Sequence, residues 1–113
     1  MTSSEKTAYI TEKLSDICDY LRMSVGDDDT AITSCALASL EYIESGVGTY
    51  DTTSATAFML LCALTQDFYD NRTLTQSEQQ QKMRQSQTYQ SIILQLKMSY
   101  LLSQDEDSDE ETT

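Results

Sequence analysis

At 113 residues the chain has room for one domain with a modest core. Nineteen acids against seven bases give a formal charge of −12 and a pI of about 4.1, which argues against a basic grip on nucleic-acid phosphates. Histidine is absent and glycines number three, so the commonest general base and a glycine-rich phosphate cradle are excluded as well. Reading from the N-terminus, Ile10, Leu14, Ile17 and Leu21 recur at helical spacing and predict a first helix near residues 5–22, with Asp16 and Asp19 facing outward. Ser3 or Ser4 is the expected cap, with Thr11 as a later start.

"SVGDDD" breaks that period at Gly26 and leads into a second stripe, Ile32, Cys35, Ala36, Leu40 and Ile43. This second helix is expected to stop at "ESGVG", where Gly46 and Gly48 suit a left-handed end and a turn. Asp27, Asp28 and Asp29 stand at its start, where carboxylates cap free N–H groups and meet the positive end of the dipole. A calcium loop would interleave its acids with other ligands and close on a distant Glu, so capping is the reading here. "YDTTSAT" then offers caps for a third helix with Ala57, Leu60, Leu61, Leu64 and Phe68 inward and Met59 and Cys62 widening the stripe. Apolar over most of its surface, this helix is expected to be the central one.

From Asn71 to about Thr88 the chain is polar and Gln-rich, which predicts a loop or hairpin with a short helix at "SEQQQKMR". "YQSIILQLKMSYLL" is ambiguous. Ile92, Leu94, Leu96, Met98, Tyr100 and Leu102 alternate as in a half-buried strand, while Gln95 to Met98 favour a helix and Ile93 and Leu101 spoil a polar strand face. Helix is the expectation, and either form carries more apolar surface than a small three-helix core can cover. The last ten residues hold six acids and no apolar side chain, so disorder is expected. The expected fold is therefore all-α: one domain over residues 1–103, made of three core helices and a C-terminal helical or extended docking segment, and a disordered acidic tail over 104–113.

Chemistry is hard to find in this sequence. Cys18, Cys35 and Cys62 are scattered among apolar neighbours, as buried reduced thiols are, and no clustered ligand set suggests a metal or other cofactor. Neither a signal peptide nor an apolar stretch of roughly 20 residues is evident, so a cytosol-like compartment without membrane contact is expected. Enzyme activity is not expected.

What remains is the ending "DFYDNR". Asn71 suits a left-handed stop, and Arg72 suits the exposed carbonyls of a helix C-terminus. Taken in order, Leu21-Arg22, the acids Asp27 to Asp29, Tyr42-Ile43-Glu44, Tyr69-Asp70-Asn71-Arg72 and Ser91-Ile92-Ile93-Leu94-Gln95-Leu96 resemble the head–tail connector (adaptor) proteins of long-tailed bacteriophages. The resemblance spans residues 10–100; the longer N-terminus and the acidic tail depart from it. It implies a structural virion protein of the neck, made in the host bacterial cytoplasm. Such proteins form a ring with copies of themselves, usually twelve-fold, beneath the portal protein. The ring extends the channel through which double-stranded DNA passes without specific binding, and it docks a stopper or tail-completion protein. On this reading Ile92, Ile93, Leu94, Leu96, Met98, Tyr100 and Leu101 dock on the portal or the next subunit. Tyr69, Asn71 and Arg72 brace the end of the long helix or meet a neighbouring subunit. The competing expectation is an acidic helical inhibitor that mimics DNA charge and occupies a basic host protein.

Overall fold

The computed structural model describes residues 1–71 and 75–112, with the side chains at 76, 79, 80, 83, 85 and 105–112 outside that description. Among the described residues the chain is helical and has no strand: α1 (Ser3–Leu21), α2 (Asp29–Val47), α3 (Ala55–Asp70), α4 (Gln76–Gln85) and α5 (Gln87–Thr112). The all-α expectation holds, and the ambiguous C-terminal segment is helix. The disordered tail expected over 104–113 falls, from 105 on, on side chains outside the described residues, while α5 as described runs to Thr112.

Local chemistry sets the ends of the helices. Thr2 caps α1 in place of Ser3 or Ser4, because Glu5 stands three residues on and closes a capping box. The Thr2 hydroxyl accepts from the Glu5 N–H at 3.2 Å, and the Glu5 carboxylate accepts from the Thr2 N–H at 3.1 Å. Hydrogen bonds from the Thr2 backbone and then its side chain hold the Glu5 carboxyl below its ordinary range. At the other end α1 stops on Arg22, whose φ of 60° and ψ of 42° are left-handed. The Met23 N–H donates to the Cys18 carbonyl at 2.9 Å and the Arg22 N–H to Asp19 at 3.1 Å, the two bonds of a Schellman stop. The helix thus ends before Gly26, on a residue that is strained there by about 1 kcal/mol.

Ser54 caps α3 by accepting from the Ala57 N–H at 3.1 Å, and Thr75 caps α4 by accepting from the Glu78 N–H at 3.2 Å. Gly48, at φ 104°, ends α2 as expected. Gly46 does not: it remains helical, and its missing side chain admits Ile93 of α5, which would lie 3.1 Å from an added Cβ.

The core lies where α1, α2 and α3 meet, roofed on one side by α5. Ile10, Ile17, Ile32, Ala36, Leu40, Leu61 and Leu64 are wholly out of solvent, while Leu14 and Leu21 pack at its margin. The central helix is α2, not α3: it touches α1, α3 and α5 and packs most extensively on α3. Small residues explain this. Ala36 and Ser39 are buried on α2 and let neighbouring backbones come close on more than one side. Ser39 and Thr65 are buried hydroxyls, and each is satisfied within its own helix by the carbonyl four residues back, Cys35 at 2.8 Å and Leu61 at 2.6 Å. Tyr9 and Tyr50 close the lower end, their rings edge to face at 5.4 Å and their hydroxyls 2.9 Å apart.

Candidate docking surface

The end of α3 explains its polar sequence. Phe68 points into the core, and the residues around it reach outward to three other elements. The Tyr69 hydroxyl donates to Asp28 at 2.5 Å, tying the end of α3 to the start of α2. Asp67 accepts a short hydrogen bond from the Tyr89 hydroxyl, tying it to α5. Asn71 donates from its side-chain amide to the Asp67 carbonyl at 2.8 Å and accepts from Lys82 of α4 at 3.3 Å. Burial, then the bond to Asp67, raise the Tyr89 hydroxyl above its ordinary pKa, so it stays a neutral donor.

Two expectations change here. Asn71 is not left-handed (φ −110°, ψ 34°); its N–H still donates to the Asp67 carbonyl at 3.0 Å, and its side-chain amide adds a second bond to the same oxygen. Asp28 occupies the cap position of α2 without a side-chain capping bond, since its carboxylate faces Tyr69. Asp29 sits in the first turn and accepts from the Gly26 N–H at 2.8 Å, which shapes the preceding loop, while Asp27 lies exposed in that loop. Arg72 lies outside the described residues.

The second feature is α5, which has two apolar faces. Tyr89, Ile93, Leu96 and Tyr100, spaced four, three and four, pack on the body. Ile93 fits over Gly46 and Tyr100 over Gly48, and Gln90 donates to the Tyr42 hydroxyl at 3.1 Å. On nearly the opposite side Leu94, Met98, Leu101 and Leu102 form a second stripe, left 59%, 51%, 45% and 59% exposed. The docking set expected from the sequence therefore divides. Ile93 is buried, and Ile92, Leu96 and Tyr100 pack, partly buried, against the chain's own core. Leu94, Met98 and Leu101 remain, and Leu102 joins them. Met59 also departs from expectation, standing 66% exposed on α3.

The helix runs on beyond Tyr100, which lies over Gly48, to Thr112, in a molecule with an envelope of 54 × 30 × 22 Å. A cleft of about 370 Å³ opens where α5 leaves the body, between Val47, Tyr50, Asp51, Ala57, Leu96 and Tyr100.

Charge follows the same division. Residues 1–70 hold twelve acids and three bases, residues 71–103 one acid and four bases, and residues 104–113 six acids, giving −9, +3 and −6. Exposed Asp19 and Asp27 stand with Tyr20 and Val25, 46% and 57% exposed, at the pole where α1 ends and α2 begins. Asp29, Asp19 and Asp27 all act on the nearby Cys18 thiol, which burial, first, and these charges push up. Burial likewise lifts Cys62, to about 11, so both thiols are protonated packing groups. Among the described residues no group of three or more His, Cys, Asp or Glu side chains is placed to hold a metal, and no helix is long and apolar enough to cross a membrane.

These features define an all-α bundle with a projecting, two-faced C-terminal helix. No family model, curated protein or solved structure matches the chain.

Proposed function

We propose that this chain is a structural head–tail connector of a bacteriophage. Copies form a ring beneath the portal, extend the DNA channel and offer a surface to stopper or tail-completion proteins. The outer face of α5 carries this reading. Four large apolar side chains stand in one stripe on a helix that is firmly held by its other face. Such a stripe is the mark of a surface meant for a protein partner. The order of sequence words that resembles the connector family supports the same role. So does the charge of residues 1–70, which suits a channel that DNA traverses without adhering. A charge mimic of DNA would use the acidic pole but has no use for an exposed apolar stripe. The role requires no catalysis, cofactor or membrane, and it places the protein in the virion neck after synthesis in the bacterial cytoplasm.

Negative-stain microscopy of cognate portal rings mixed with the full-length chain tests the proposal. An added ring is expected on one face of the portal, and Met98→Asp should remove it while leaving the helical circular-dichroism spectrum intact. Portals left bare by folded wild-type protein would overturn the proposal. A gel shift of duplex DNA by micromolar protein at low salt would remove the channel-lining part of it.

A further inference from the structure

We propose that the outer face of α5 takes an amphipathic helix of a different protein, one whose apolar side runs on into lysines or arginines. The proposal rests on the reading of this face as a docking surface and names what docks there. Leu94, Met98 and Leu101 follow one another by four and three residues, and Asp105 comes four further on. That is the spacing of a coiled-coil seam, whose positions meet the matching stripe of a facing helix. The three apolar members and the flanking Leu102 are exposed, while Ile93, Leu96 and Tyr100 hold the opposite side of α5 on the body. The seam is thus presented outward on a helix already in place, which leaves little ordering for a partner to impose.

Charge decides what kind of helix fits. Past the stripe α5 runs on to Thr112 through Asp105, Glu106, Asp107, Asp109, Glu110 and Glu111, and Lys97 is its single base. A second copy fits badly. Two α5 helices side by side in parallel would set six carboxylates against six, and an antiparallel pair would lay them along a body, residues 1–70, that carries −9. Duplex DNA and an anionic lipid surface are repelled by the same acids. What remains is a protein surface that is apolar beside Leu94 to Leu102 and basic beyond it, and an amphipathic helix supplies both along one face. Contacts between copies in a ring must then use other faces. The charged part of the docking contact fades with salt, at a screening length of about 10 Å in 0.1 M, while the apolar part persists.

Fluorescence anisotropy of the full-length chain with two labelled synthetic helices tests this. Both helices carry the same leucine seam; in one it runs on into lysines and in the other into glutamates. At low salt the lysine helix should bind roughly tenfold more tightly, about what a few exposed ion pairs supply. Met98→Asp should lose that binding although it makes the chain more acidic, and its helical circular-dichroism spectrum should be unchanged. Asp105→Asn, Glu106→Gln, Asp107→Asn, Asp109→Asn, Glu110→Gln and Glu111→Gln together should bring the two helices to equal affinity. Wild type that binds the two alike would overturn the proposal, because the charge match would be absent. So would a lysine helix that Met98→Asp still holds, since the acidic body would then attract it without the stripe, and so would a preference that survives loss of the six acids. Wild type that binds neither helix yet decorates portals would sink this pairing and leave the connector role standing. A Met98-dependent preference for the lysine helix, with portals left bare, would do the reverse.

Discussion

Residues 1–70 and residues 75–103 are both helical, yet only the first region uses nearly all of its apolar surface. In α1, α2 and α3 the large side chains of the predicted stripes are buried or packed at the margin, and Met59 is the main exception. In α5 the apolar residues divide into a face that roofs the body and a face left to solvent. The first region is acidic, the second basic. The difference teaches that stability and association are carried by different residues here, often by neighbours in sequence. A substitution can therefore damage one and spare the other.

The sharpest break within the body is Leu64→Ala. Leu64 is fully buried between α3 and its neighbours, and truncating such a leucine costs roughly 2–5 kcal/mol. Urea unfolding should show a clearly lower midpoint; an unchanged midpoint would mean that α3 is not part of a single core. Next comes the pair Ile93→Ala and Leu94→Ala, one residue apart on opposite faces of α5. Ile93 is 7% exposed and fills the space over Gly46, so its loss should cost about 2 kcal/mol. Leu94 touches mostly water and should change stability by no more than about 0.5 kcal/mol, while weakening any association through the outer stripe. Equal stability losses for the two would erase the distinction between the faces.

That pair also shows why α5 was hard to read from sequence. Two helical stripes, 89-93-96-100 and 94-98-101-102, overlap in sequence and together produce an alternation that resembles a strand. No count of apolar positions separates them, because the separation depends on which face meets Gly46 and Gly48. The stripes of α1, α2 and α3 were legible because each has one apolar side. The Leu-Arg end of α1 was legible too, but the left-handed Arg22 was not, since the nearby Gly26 offers the easier stop. The pairings at the end of α3 link residues 41 and 22 positions apart, Tyr69 with Asp28 and Tyr89 with Asp67, and local pattern carries no sign of such distant partners. The central place of α2 was hidden for a related reason: alanine and serine score weakly as core residues, although their small size is what lets three helices pack around one.

Gly48→Ala should have a smaller effect than Ile93→Ala. A side chain at φ 104° is strained, and its Cβ would meet the Tyr100 ring at 3.1 Å. A loss of about 1 kcal/mol or somewhat more is expected from the backbone alone, measurable as a lowered midpoint. Combined with Tyr100→Ala, the steric part should vanish and the conformational part should remain, so the two losses should fall short of additive.

Among the residues that pack on the body, the smallest expected loss concerns the polar tie between the two regions. Tyr89→Phe removes the hydroxyl that Asp67 accepts from and should cost about 1 kcal/mol at neutral pH, as a partly buried hydrogen bond does. Its more telling signature is in alkali. The Tyr89 pKa is raised in the fold above its ordinary value of 10, by burial first and by Asp67 second. A raised pKa means that the fold is favoured fully below pH 10, and that this contribution fades as the pH climbs towards the folded value, because the unfolded chain ionises first. Cys62 acts in the same direction at lower pH, between its ordinary 9.0 and its folded value of about 11, and it is unchanged in the variant. Wild type should therefore lose stability from about pH 9 upward and more steeply above 10, while Tyr89→Phe should follow it at first and then fall less steeply. Urea midpoints taken at closely spaced alkaline pH values would show the two curves converging. Parallel curves would mean that Tyr89 ionises as readily in the fold as outside it, and that the tie between α3 and α5 rests on packing alone.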